Sequence, residues 1–115
     1  MAAANPGERL TEGIGRLVAQ LATLRNMSLS VASMLEAGEL PEIESALVKE
    51  LGTNWEQALP ATARDLAPAA QAEPGNRLNF DQTLAYATLI APKLTIQGGT
   101  REILRGIIAR GLGLR

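Results

Sequence analysis

Along the first third of the chain, leucine, isoleucine and valine recur at spacings of three and four, the period of a helix with one apolar face. Leu10, Ile14, Leu17, Leu21, Leu24, Val31 and Leu35 keep that rhythm, interrupted only at Ser28, and predict a helix over about residues 8–37. Gly38 then supplies a residue that can turn the chain out of the helix. A second helix is expected over about 41–67. Pro41 suits its first turn, and Glu42 and Glu44 suit the positive end of its dipole. Ile43, Leu47, Leu51, Trp55, Leu59 and Leu66 lie along one broad face. Pro60 sits inside that pattern without a backbone donor and predicts a kink or a break. Pro68 marks the end.

The stretch from Ala69 to Leu78 is polar and contains Pro74-Gly75, and it reads as a surface loop. Asn79 and Gln82, three apart, resemble a capping box and open a third helix over about 79–95. Leu84, Ala87, Leu89 and Ile90 form its apolar side, Pro92 distorts its later part, and Gly98-Gly99 ends it. A fourth helix is expected over about 100–111, capped by Thr100. Ile103, Leu104, Ile107 and Ile108 make its buried stripe, Arg101 and Arg105 project away from it, and Gly111 and Gly113 break it. No internal repeat, low-complexity tract or useful strand alternation interrupts this order. The expectation is an all-α chain, a four-helix bundle forming one domain over residues 1–115.

Composition narrows the core and the chemistry. Hydrophobic residues make up 46% but aromatics only 3% (Trp55, Phe80 and Tyr86), so the interior has to be aliphatic and alanine-rich. Eleven basic and twelve acidic residues give a net charge of −1, so no global field recruits nucleic acid or an anionic membrane. Cys and His are both absent, which excludes disulfides, a cysteine nucleophile, a Ser-His-Asp triad and every His- or Cys-based metal site. No clustered acidic loop of the EF-hand kind is present, and no metal site is expected. The start, Met1-Ala-Ala-Ala-Asn-Pro-Gly, carries no basic, apolar targeting segment, and no apolar run reaches membrane-spanning length. Cytoplasmic residence is the default expectation.

One junction stands out as a candidate ligand element: Gly98-Gly99-Thr100. Glycine permits positive φ and leaves no Cβ between backbone and ligand, and the helix that follows offers unpaired amides. Spacing alone reads the same residues first as an ordinary helix stop followed by an ordinary cap. Arg101, Arg105, Arg110 and Arg115 are able to meet phosphate, but read first as a solvated face opposing Glu102. Without interleaved aromatics they do not make a nucleic-acid surface. Trp55 reads as a core anchor, with an interface as the alternative. Glu42 and Glu44 diverge on a helix, and Glu36 and Glu39 lie at a helix end. Neither pair has the surroundings that acid–base work requires.

The tail carries a resemblance. Ile96-Gln97-Gly98-Gly99-Thr100-Arg101-Glu102-Ile103, then Ile107-Ile108-Ala109-Arg110 and Leu112-Gly113-Leu114, resembles the C-terminal end of the acyl-CoA dehydrogenase family. There an "Ile-x-x-Gly-Thr-x-x-Ile" junction is followed by "Ile-Ile-Ala-Arg" and a Leu-Gly-Leu ending. Ala37-Gly38 and Lys49-Glu-Leu-Gly52 fit the same register more loosely. The resemblance implies the family's C-terminal helical domain, which in the whole enzymes follows an N-terminal helical domain and a middle β-domain. FAD lies between domains and across a subunit interface, and an acyl-CoA loses a proton and a hydride to give the trans-2-enoyl-CoA. It also implies that Gly99 and Thr100, with Gln97 flanking, contact the FAD of the parent enzyme.

Three departures bear on function. Gly98 stands where many members carry the catalytic-base Glu directly before Gly-Thr, so no catalytic residue is expected in this chain. The helix that holds the base in other members, with its Arg-x-x-Phe-Gly signature, is not found here. The family's Gln-x-x-Gly-Gly stretch is replaced by approximately Arg64-Asp-Leu-Ala-Pro68. The resemblance therefore implies a C-terminal piece of a longer FAD-dependent dehydrogenase, inactive alone and not expected to bind FAD by itself. Its partners are the rest of that chain and further subunits of a homo-oligomer or heteromer. Two alternatives stand beside it: a base-less structural piece of a heteromeric dehydrogenase, and a free-standing helical interaction module built on the long first-helix seam. Any of these leaves a bundle short of one neighbour, which predicts an exposed apolar strip and self-association.

Overall fold

The computed structural model describes residues 5–114, so Met1 and Arg115 lie outside the described residues. Four α-helices and two short 3-10 segments follow one another: α1 (Pro6–Glu36), α2 (Glu42–Leu66), a 3-10 turn (Ala67–Ala69), α3 (Pro74–Ile90), a 3-10 segment (Ala91–Thr95) and α4 (Arg101–Gly111). The fold is an all-α four-helix bundle, with no strand among the described residues. Helix α2 is its centre and packs against α1, α3 and α4 in turn.

Local chemistry explains most helix ends. Pro6 takes the first helical position of α1, and the Asn5 side chain accepts a hydrogen bond from the Gly7 amide at 3.1 Å. At the other end Gly38, with φ of 78°, allows a Schellman closure. Its amide donates to the Leu35 carbonyl at 3.0 Å, and the Glu39 amide donates to the Met34 carbonyl at 2.9 Å. The same motif closes α4 through Gly113 (φ 77°), whose amide meets the Arg110 carbonyl while that of Leu114 meets Ala109.

Several expectations are corrected. Helix α2 runs without a break through Pro60, which is buried. The carbonyl one turn earlier belongs to Glu56, an exposed residue, so water can take the place of the missing donor. The loop expected up to Leu78 is shorter, because Pro74 starts α3. Proline at a first helical position gives up a donor that would be unpaired anyway. Glu73 is the N-cap, without a side-chain hydrogen bond, and Asn79 lies inside the helix, so Asn79 and Gln82 form no capping box. Helix α3 also ends earlier, at Ile90. Pro92 has no amide to continue the α ladder, and the chain tightens into 3-10 geometry over Ala91–Thr95. Gly98-Gly99 end the turn after that segment rather than the helix itself.

The largest correction concerns which face of α2 is covered. Its buried residues are Ala46, Glu50, Thr53 and Pro60, a stripe at spacings of four and three made of small and polar side chains. Of the apolar residues expected inside, Leu47 and Leu51 are exposed, and Ile43, Trp55, Leu59 and Leu66 are only half-buried. On α4, Leu104 is buried, Ile107 and Ile108 are half-buried, and Ile103 is 58% exposed rather than part of the core. On α1, Ile14, Val18, Leu21, Leu29 and Leu35 are exposed, and none of its residues is buried.

The molecule is accordingly open. Its radius of gyration is 17.8 Å, against about 13 Å for a compact domain of this length. Between α1 and α2 runs a trough of about 760 Å³, walled by Leu17, Leu24, Met27, Leu51, Trp55 and Leu66. The indole Nε1 of Trp55 is shielded from solvent and has no hydrogen-bond partner. The expected apolar strip is present.

Candidate functional site

The junction singled out from the sequence lies where the 3-10 segment Ala91–Thr95 hands over to α4. Gly98 and Gly99 both take positive φ, 73° and 115°, which side-chain-bearing residues rarely adopt. Thr100 is the N-cap of α4, and its Oγ1 accepts from the Ile103 amide at 3.4 Å. Glu102, in the first turn, is exposed and has its carboxyl held below the ordinary range. A hydrogen bond from its own backbone amide is the main cause, then one from the Thr100 hydroxyl, with Arg101 and Arg105 adding attraction.

The corner is open. Gln97 and Gly98 are exposed, and Gly99 and Thr100 are half-buried. A Cβ placed on Gly98 would meet the Cε of Lys49 at 3.5 Å, and one on Gly99 would meet Leu104 at 3.5 Å. Among the described residues, the turn and cap hydrogen bonds include none from the amides of Gly98, Gly99 or Thr100. The glycines thus present bare backbone at an edge, next to buried Leu104 on one side and Lys49 on the other.

What holds this corner is a polar cluster that hydrophobic periodicity does not reveal. Glu50, 7% exposed, faces α4 from the buried stripe of α2. Its Oε1 accepts from the Arg105 Nε at 2.9 Å and lies 3.6 Å from the Arg101 Nε. The Arg101 Nη2 donates to the Asn54 Oδ1 at 2.7 Å and to the Gln57 Oε1 at 3.1 Å. In turn the Gln57 Nε2 donates to the Ala91 carbonyl at 2.9 Å, and the Lys49 Nζ donates to Thr53 Oγ1 at 3.0 Å and to the Leu94 carbonyl at 3.4 Å.

Arg101 and Arg105 do not simply project away: Arg105 stays largely solvated and both attract Glu102, but each also reaches the Glu50 carboxylate. They turn back onto α2, because a buried carboxylate on that helix needs counter-charge. A sequence signal for the cluster does exist: Ala46, Glu50, Thr53, Gln57 and Pro60 keep the four–three rhythm without being apolar. Arg110 stays exposed, beside a groove of about 500 Å³ that it shares with Ile43, Ile107 and Gly111. Glu42 and Glu44 line the same groove, but they and Glu36 and Glu39 are all exposed, without the burial that acid–base chemistry needs.

No described helix is long and apolar enough to cross a membrane. Neither the curated proteins nor the solved structures gave a match to this chain. A family model, "Acyl-CoA dehydrogenase, C-terminal domain", matches residues 8–113, a span that takes in all of α2, α3 and α4, the open glycine corner and nearly all of α1. The all-α four-helix fold is consistent with that match, and the chain belongs to the acyl-CoA dehydrogenase family as a C-terminal domain.

Proposed function

We propose that this domain serves a larger FAD-dependent acyl-CoA dehydrogenase, lending one wall of the flavin pocket and part of a subunit interface while being inactive alone. The observation that carries this reading is the corner itself: two positive-φ glycines with bare, open backbone ahead of a Thr100-capped helix, within a chain of this family. Gly99 and Thr100 are the contact residues in this reading, with Gln97 at the edge. FAD, when bound, supplies the acceptor for the substrate hydride. The chain's own part is to offer backbone against the cofactor and to exclude water from one side.

The residues present fit one portion of FAD better than another. Gly98 and Gly99 carry no side chain and no turn or cap hydrogen bond from their amides, which suits the close approach of a flat ring edge. The end of α4, by contrast, already holds an anion of its own, the Glu102 carboxylate. A pyrophosphate would meet like charge there, so the corner suits the uncharged ring edge.

The isolated chain should keep no flavin through a desalting column, and acyl-CoA should bleach no flavin in its presence. At millimolar FAD the amide resonances of Gly98, Gly99 and Thr100 should move first. Turnover by the chain alone, or shifts centred elsewhere, would defeat the reading.

A second reading is favoured by the backbone at Gly98. With φ at 73°, this position strains any residue carrying a Cβ, so a carboxylate base does not belong here in this conformation. The base then lies on another segment of the parent enzyme, or the domain belongs to a base-less subunit of a heteromer. Acyl-CoA as substrate, the remaining dehydrogenase chain as partner and cytoplasmic residence all belong to this proposal. If Gly98→Glu raised dehydrogenation in the assembled enzyme, the second reading would fall.

A further inference from the structure

The segment that carries the glycine corner is held at both ends by side chains of α2. Ahead of it, Gln57 binds the Ala91 carbonyl and Lys49 binds the Leu94 carbonyl. After it, Arg101 is gripped by Asn54, Gln57 and Glu50. Between these anchors lie the two glycines, the residues least able to fix their own conformation. Their direction has to come from the anchors.

We infer that Glu50 and Arg101 form the positioning pair of the Gly98-Gly99-Thr100 corner, fixing how α4 leaves α2 and hence where the bare glycine backbone points. This rests on the flavin-facing reading of the corner given above. Four observations single out the pair. Glu50 is nearly enclosed, so its carboxylate has little water to fall back on. Arg101 immediately follows the N-cap, so any tilt of its side chain is passed directly to Thr100. The Arg101 side chain is 34% exposed against 63% for Arg105, so the first is the less solvated grip. The Arg101 Nη2 donates to Asn54 and Gln57 while its buried Nε faces the Glu50 carboxylate at 3.6 Å without a hydrogen bond, an arrangement that a lysine ammonium on a flexible stem does not reproduce. Neither residue touches the cofactor in this reading; both act through the backbone that follows or precedes the glycines.

Amide hydrogen exchange and FAD titration by NMR on the full 115-residue chain, wild type against Glu50→Gln and Arg101→Lys, test the inference. The Ile103 and Leu104 amides, which bond Thr100, should exchange about tenfold faster in either variant, while protection in α1 changes by less than about twofold. The double variant should add little to either single one. The FAD-induced shifts at Gly98–Thr100 should shrink in both variants. Glu50→Gln keeps the size and an acceptor oxygen, so it should be the milder of the two.

Wild-type exchange at Ile103 and Leu104 in folded variants would overturn the pair. So would a loss of protection spread evenly over α1 and α2, the sign of a merely stabilising contact. If Glu50→Gln does not fold, Arg101→Lys, which keeps the charge, decides alone. If the wild-type chain shows no FAD response at the corner while the exchange result holds, the flavin reading fails and the pinning stands.

Discussion

Helix α2 meets two neighbours in opposite ways. Toward α4 it presents small and polar residues, and the contact is close and registered: Glu50 takes Arg105, Arg101 takes Asn54 and Gln57, and a Cβ on Gly111 would overlap the Ile43 side chain. Toward α1 it presents Leu51, Trp55 and Leu66, yet that side stays gapped by a trough of about 760 Å³. The apolar side is the incomplete one. Polar contacts with fixed geometry define an orientation, whereas an apolar face is satisfied by any neighbour that excludes water. The α2–α4 contact is therefore closed within this chain, and the α1–α2 side is left open.

The sharpest way to break this contrast is at Glu50. Glu50→Ala strands two arginines and should lower stability by about 2 kcal/mol in urea unfolding, less than for a fully enclosed pair because Arg105 is largely solvated. A loss within experimental error would mean that the cluster decorates the contact rather than setting it.

Paired glycine substitutions sharpen the same contrast. Gly111→Ala drives a methyl into Ile43 across the closed contact and should cost about 1–2 kcal/mol. Gly13→Ala also collides, with Leu66 carbons at 2.6 Å. There the leucine borders the open trough and can swing aside, and alanine is the better helix former. The net change should stay within about 1 kcal/mol of zero. Thermal melts of the two variants side by side would expose a wrong assignment if their order were reversed.

Smaller effects on stability come from the exposed strip. Val18→Glu and Leu21→Glu should move monomer stability by no more than about 0.5 kcal/mol, because both side chains already face water. The wild-type chain should self-associate at high concentration in sedimentation velocity, and the two variants should stay monomeric. A monomeric wild type would remove the need for a partner along α1.

The weakest expected effect is electrostatic. The lowered carboxyl of Glu102 favours the fold while ionised. That contribution is intact above the ordinary carboxylate value of 4.5 and disappears as pH falls through the lowered folded value. Glu102→Gln should flatten the acid limb of stability against pH, being slightly less stable than wild type at neutral pH and converging with it in acid. A steeper acid limb in that variant would contradict the cause assigned here.

These contrasts mark what was legible beforehand. Helix ends governed by short-range chemistry are readable: Gly38, Thr100 and Gly113 act within a turn or two of their own position. Prolines are harder to read locally: Pro60 predicts a kink or a break and the helix is not broken there, while Pro74, expected in a loop, starts a helix. The glycine corner was legible as a candidate because it is one contiguous motif. Its support was not, since Glu50 and Arg105 are 55 residues apart and nothing local joins them.

The sequence by itself determined four helices, the absence of His and Cys chemistry, and the position of the Gly-Gly-Thr junction, because each depends on residue type or on spacing within a few residues. Only the tertiary structure decided that α2 buries Ala46, Glu50 and Thr53 in preference to its leucines, and that Arg101 and Arg105 both reach Glu50. The reason is that periodicity ranks faces by hydrophobicity alone. Which face is covered depends on where neighbouring helices are available, and here the neighbour that closes tightly does so through charge.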